Sequence, residues 1–204
     1  MRIRAVVVSL ILVLGLSACT AGPTVSEATP TPTPTPTPTS TATATIAPVT
    51  VPTDCATIVD SATYEASFGD VPLNDPALLY PDALGAVTPT APAAGAAPDE
   101  AIEAATQLRC IWRYPQADVS YLLLQIGTVE AGVAADYLAS LQLEGYTCDE
   151  TLDGTRCAII GTDSQYPVET GHTAFVRDDI VIRVDQANVP TDNLLGAVVA
   201  RIWQ

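Results

Sequence analysis

The chain has 204 residues with 8 Lys+Arg against 23 Asp+Glu, a formal net charge of −15, and all eight cations are Arg. A surface this acidic repels phosphate backbones and anionic lipid headgroups, which excludes nucleic-acid binding and basic-patch membrane binding. The lack of Lys also excludes a P-loop lysine and a Schiff base.

In chain order, Arg2 and Arg4 precede an apolar run, Ala5 to Gly15, ending in Leu16-Ser17-Ala18-Cys19. The run is shorter than the roughly 20 residues that cross a bilayer, but it suits a secretory leader. The four-residue end resembles the lipobox of bacterial lipoprotein signal peptides. That resemblance implies cleavage before Cys19 and lipidation of the new N-terminal Cys by a diacylglyceryl thioether and an N-acyl group. Two such attachments anchor stably where a single chain does not. The competing reading is an ordinary signal peptide cut at Ser17-Ala18; Cys directly after Leu-Ser-Ala favours the lipobox. Residues 1–18 are therefore read as leader, and the chain from Cys19 carries a net charge of −17, since Arg2 and Arg4 leave with no acid.

Residues 19–53 carry no apolar periodicity. Thr29 to Thr39 alternates Thr and Pro, and Pro48 and Pro52 follow. Each Pro fixes its own φ and extends its predecessor. The stretch reads as a disordered, solvated polyproline II stalk that reaches on the order of 100 Å at about 3.1 Å per residue. Its Thr/Pro composition is also that of O-glycosylated stalks.

Residues 54–204 read as a single domain, large enough for one core. Its four cysteines, Cys55, Cys110, Cys148 and Cys157, imply two disulfides in an exported protein. Three pairings are open. Asp153-Gly154 marks a turn between Cys148 and Cys157, and a four-residue loop Thr151 to Gly154 would set those two cysteines opposite each other. That favours Cys148–Cys157 with Cys55–Cys110. Zinc is the competing use of four cysteines, but no C-x₂-C pair and a single His argue against it.

Helix is expected within Cys55 to Phe68, closed by Gly69. Loop follows to Pro98, with an Ala/Pro/Gly-rich insert from Val87. A helix over Asp99 to Gln107 has acids in its first turn. Strands are expected at Leu108 to Tyr114 and Tyr121 to Gly127. Thr128 then caps a helix with Glu130 in its first turn, an apolar stripe of Val133, Tyr137, Leu138 and Leu141, and Gly145 as its stop. Tyr146 to Cys148 and Thr155 to Ile160 make the disulfide hairpin. Thr173 to Arg177 and Ile180 to Val184 make another across Asp178-Asp179, with Phe175 opposite Ile182 and one shared apolar face. Pro190-Thr191-Asp192 opens the last helix, burying Leu194, Leu195, Val198 and Ile202. The expected fold class is α+β: an antiparallel sheet with helices packed on one face and two disulfides.

The opening Cys55-Ala-Thr-Ile-Val, the Phe68-Gly69 helix end, Cys110-Ile-Trp112 and a closing helix through Leu194-Leu195 resemble small actinobacterial envelope lipoproteins of unknown function. They are also similar to the extracellular sensor domain of mycobacterial receptor-type Ser/Thr kinases. The resemblance covers most of Cys55 to Gln204 and implies no site residues.

The candidate chemistry is sparse, and no catalytic, cofactor-binding or metal site is assigned. His172 is the one His, so a hydrolytic triad must use it, yet no G-x-S-x-G elbow accompanies it and Ser164 has no following Gly in register. Asp149, Asp153 and Gly154 echo a calcium loop whose bidentate Glu is missing. Asp99, Glu100 and Glu103 could supply paired carboxylates, or simply a solvated helix face. Trp112 shares a strand face with Cys110. Packing on a disulfide is its expected role, and a stacking platform for a sugar or aromatic ligand is the alternative. These features imply a lipid-anchored module on the extracytoplasmic face of the cell membrane. It would be non-catalytic, without cofactor, and would bind or sense an envelope protein or small ligand. The alternative is a small wall-active enzyme using His172 with nearby acids.

Overall fold

Apolar residues at alternate positions decide how the strands face. In the computed structural model, which describes residues 49–78, 83–189, 191 and 193–204, seven strands form one antiparallel sheet. They are β1 (Gly85–Ala86), β2 (Thr106–Trp112), β3 (Tyr121–Thr128), β4 (Thr147–Thr151), β5 (Gly154–Thr162), β6 (Glu169–Arg177) and β7 (Ile180–Ala187), in the order β1-β2-β3-β7-β6-β5-β4. The leader, Cys19 and the Thr/Pro tract lie outside the described residues. The fold already includes Val49 and Val51, which the sequence reading put in the stalk: Val51 is buried and Val49 packs on the core.

Rows of paired residues run across the sheet. One row, Leu108, Ile126, Ile182 and Phe175, is fully buried. On this face lie a short 3-10 turn (Cys55–Thr57), α1 (Ser61–Ser67) and α4 (Leu194–Ile202). They add Ile58, Phe68, Leu194, Val198 and Ile202 to the core. Asp60 caps α1, accepting from the N–H groups of Ala62 and Thr63, each at 3.0 Å. Gly69 follows the helix at φ +52°, as a left-handed stop requires.

The opposite face carries α2 (Pro98–Ala104) and α3 (Ala131–Leu143), which bury Ile102, Ala134, Tyr137 and Leu141 against Cys157, Ala174, Val176 and Val181. The α+β class, the antiparallel sheet and both disulfides are as expected. The helices, expected on one face, divide over two. The physical reason is that Ala174-Phe175-Val176 and Ile180-Val181-Ile182 are buried at consecutive positions. Successive side chains of a strand point to opposite faces, so both faces need cover.

Several boundaries move. The helix expected through Gln107 ends at Ala104, because Thr106 and Gln107 enter β2. Thr128 is not a cap. It closes β3 opposite Ile180, and Glu130 takes the N-cap position without a side-chain bond. The β4–β5 turn is two residues, Leu152 and Asp153 at φ +53° and +58°, both left-handed as a tight hairpin needs. Gly154 is then a strand residue, and a Cβ there would come within 2.7 Å of Phe175 Cζ. The segment read wholly as loop supplies β1, paired Gly85 to Arg109. The last helix starts at Leu194 behind Asn193, and Leu195 is half-buried. Pro190 and Asp192 of its expected start lie outside the described residues.

Glu103 joins α2 to three strands. Its carboxylate accepts from Gln125 Nε2 at 2.7 Å and pairs with Arg183 at 3.3 Å and with Arg109. Arg109, Gln125 and Arg183 stand side by side on β2, β3 and β7. Gln125 is buried. Glu103→Ala leaves its amide without this acceptor, at an expected cost of about 1–2 kcal/mol. Urea denaturation checks this; a midpoint equal to that of the parent chain would show the hub to be dispensable.

Candidate functional site

Of the residues singled out from sequence, Cys19 lies outside the described part. Cys55–Cys110 and Cys148–Cys157 are the two disulfides, with Cα separations of 5.6 and 4.0 Å. Cys148 and Cys157 are direct cross-strand partners, in the register anticipated. Trp112 is no ligand platform. It is 1% exposed and stacks on Phe68 with centroids 3.9 Å apart and planes 7° from parallel. Its indole N–H donates to the Tyr64 hydroxyl at 3.2 Å.

His172 and the acids proposed for it have separate surroundings. Glu100 accepts the Ala97 N–H at 2.9 Å at the start of α2, and Glu103 is occupied as described. Asp149 pairs with Arg156 at 2.9 Å, and Asp153 lies 3.5 Å from Arg177. The acid that meets His172 is Asp185, its cross-strand partner, with Nδ1 2.7 Å from Oδ1. Sequence reasoning missed it, although the anticipated pairing of Phe175 with Ile182 puts Asp185 opposite His172 three steps further on. The His172 side chain is 40% exposed and Asp185 18%. Among the described residues, no group of three His, Cys, Asp or Glu is placed to hold a metal ion.

Three tyrosines share this face's electrostatics. Burial pushes the Tyr137 phenol up to about 12. Burial raises Tyr121 and Tyr146 as well, with Asp185 adding in the same direction. A raised phenol pKa favours the neutral form in the fold. Its stabilisation is full below the ordinary value of 10.0 and is lost as pH rises towards about 12. Tyr137→Phe should therefore flatten the alkaline loss of stability, read as urea midpoints over that range. An unchanged alkaline slope would contradict this.

Among the described residues, a concavity lies on the α1/α4 face. Past β6, that face extends beyond α4. The β4–β5 hairpin, the floor of β6 and β7, and the first turn of α4 together enclose a cleft of about 300 Å³. Thr173, Val184 and Gln186 form its floor. Thr151, Leu152 and Arg156 line the hairpin side, and Thr191, Asn193 and Leu195 the helix side. Three Thr hydroxyls and the Gln186 and Asn193 amides are in its lining, so the cleft can exchange hydrogen bonds with a small ligand held against Leu152 and Leu195. Sequence reading could not assemble it, because its walls come from segments about forty residues apart.

Sheet, helix pairs and staples together define the class: an α+β domain whose seven-stranded antiparallel sheet lies between two pairs of helices, cross-linked by two disulfides. No protein-family model, curated protein or solved structure matches this chain.

Proposed function

We propose that the chain is a lipid-anchored, extracytoplasmic binding or sensor-like module of the cell envelope, non-catalytic, taking a small ligand in the cleft between α4 and the β4–β5 hairpin. The cleft carries this reading: it is walled by three separate elements and lined by hydrogen-bonding side chains. The lipobox-like Leu16-Ser17-Ala18-Cys19 supports the anchor. Two disulfides suit an oxidising compartment. The resemblance of the Cys55-Ala-Thr-Ile-Val and Cys110-Ile-Trp112 motifs to those of envelope lipoproteins and kinase sensor domains supports the same reading. A fragment library screened by NMR against the full chain should perturb Thr173, Gln186 and Leu152 before other amides. A library that leaves them untouched removes the reading.

The anchor has its own test. Cys19→Ala should release a soluble or unprocessed protein; retention of fully processed Cys19→Ala in membrane fractions would contradict lipidation there.

A second reading has one observation in its favour. Asp185 holds His172 through Nδ1, and the imidazole is partly exposed. A carboxylate on one ring nitrogen orients the other for general-base work. This supports a wall-active enzyme with Asp185, rather than the α2 acids, behind His172. Its test is His172→Ala in a null strain: full complementation of every phenotype ends it.

A further inference from the structure

Taking the binding-module reading as its basis, we infer that the cleft selects a neutral, polyhydroxylated ligand, a single sugar ring. Charge comes first. Arg156 is the cation in the lining, and its Nε and Nη2 lie 3.1 and 2.9 Å from the same Asp149 oxygen. Its charge is matched before any ligand arrives, and the chain as a whole carries −15. An anion gains no net attraction here. Among the described lining residues none is Asp or Glu, and the acid that touches the lining, Asp149, is paired with Arg156.

The polar groups that remain are of the kind that serve hydroxyls. Thr151 and Thr173 each donate and accept, Asn193 offers both functions, and the Thr191 hydroxyl donates to Gln186 Oε1 at 3.3 Å, which leaves the Gln186 Nε2 amide as a donor. A sugar hydroxyl also donates and accepts, so it can meet either function. The apolar groups complete the match. Leu152 occupies a left-handed turn position at φ +53° and is 40% exposed. That position favours Asn or Gly, yet a Leu stands there with part of its side chain open to the cleft. Leu152 and Leu195 supply the dry surface against which the C–H face of a ring can lie. A volume of about 300 Å³ sits at the small end of ligand clefts, which sets one ring rather than an extended chain.

The test uses the full chain, isotope-labelled in detergent micelles. It is titrated with methyl glycosides of glucose, galactose, mannose and N-acetylglucosamine, and with glucuronate and glucosamine as charged counterparts. At least one neutral glycoside should shift Thr173, Gln186 and Leu152. Thr173→Val keeps a β-branched strand residue and should weaken that glycoside about tenfold, the worth of one hydrogen bond. Gln186→Leu should do the same, and unchanged melting curves certify both folds. If glucuronate or glucosamine binds as tightly as the neutral rings, the ligand class is overturned while the cleft stands. If no ring shifts the cleft but library fragments do, the sugar assignment falls and the binding module survives. If neither does, both fall.

Discussion

Trp112→Ala is expected to cost about 3–5 kcal/mol, the range for emptying a fully buried aromatic site. The indole lies between β2 and α1, stacked on Phe68 and edge-on to Tyr64. Removing it leaves a cavity that two rings and a disulfide-tied backbone cannot readily fill. It also strips the Tyr64 hydroxyl of its donor. Against a total stability of roughly 5–15 kcal/mol, this consumes much of the margin. Melting should fall by on the order of 10–20 °C for a domain of this size. Trp112→Phe keeps a stacked ring and should lose far less. Thermal melts followed by circular dichroism decide it. A Trp112→Ala melt within a few degrees of the parent would mean the site collapses and the stack is not a keystone.

Replacing Cys55 and Cys110 together by Ser is expected to lower the melting temperature more than replacing Cys148 and Cys157. The first bridge spans 55 residues and the second 9. In the chain-entropy account these loops contribute about 4 and roughly 2–3 kcal/mol. Position adds to the difference. Cys55 and Cys110 are buried in the larger core and tie the 3-10 turn to β2. The hairpin bridge joins neighbours that the ladder already aligns. Peptide mapping of the non-reduced chain checks the pairing itself. Equal losses from the two double replacements would show that burial and loop length do not set the order.

Sequence reading succeeded where local chemistry is decisive. The hairpin at Asp178-Asp179 is legible because a two-residue turn and an alternating pattern admit one register, and Asp178 takes the left-handed position at φ +55°. Both disulfides are legible for the same reason at Cys148 and Cys157, and by elimination at Cys55 and Cys110. Alternation misled where it was incomplete. Ile180-Val181-Ile182 holds apolar residues on both faces, which announces a second helical layer, and reading the even positions alone hides it. β1 is two residues long and has no period to detect. Val49 and Val51 sit between prolines, so composition assigned them to the stalk while their burial assigns them to the core. The cleft escaped for a different reason: its Thr, Gln and Arg residues are unremarkable one by one, and topology alone brings Thr151 near Asn193.

The order of the sheet also governs how copies of this chain behave when crowded. Polymerisation through strand pairing needs a long, flat, unpaired border. At one border stands β1, with two residues, beside which the Asn74 N–H donates to the Ile111 carbonyl and the Arg113 N–H to that of Pro72. At the other stands β4, five residues long, carrying Asp149 and Glu150 and pinned by a disulfide to β5. Neither border offers an incoming strand more than a short, charged or occupied template. Copies of this chain therefore gain little from pairing through either of these two borders.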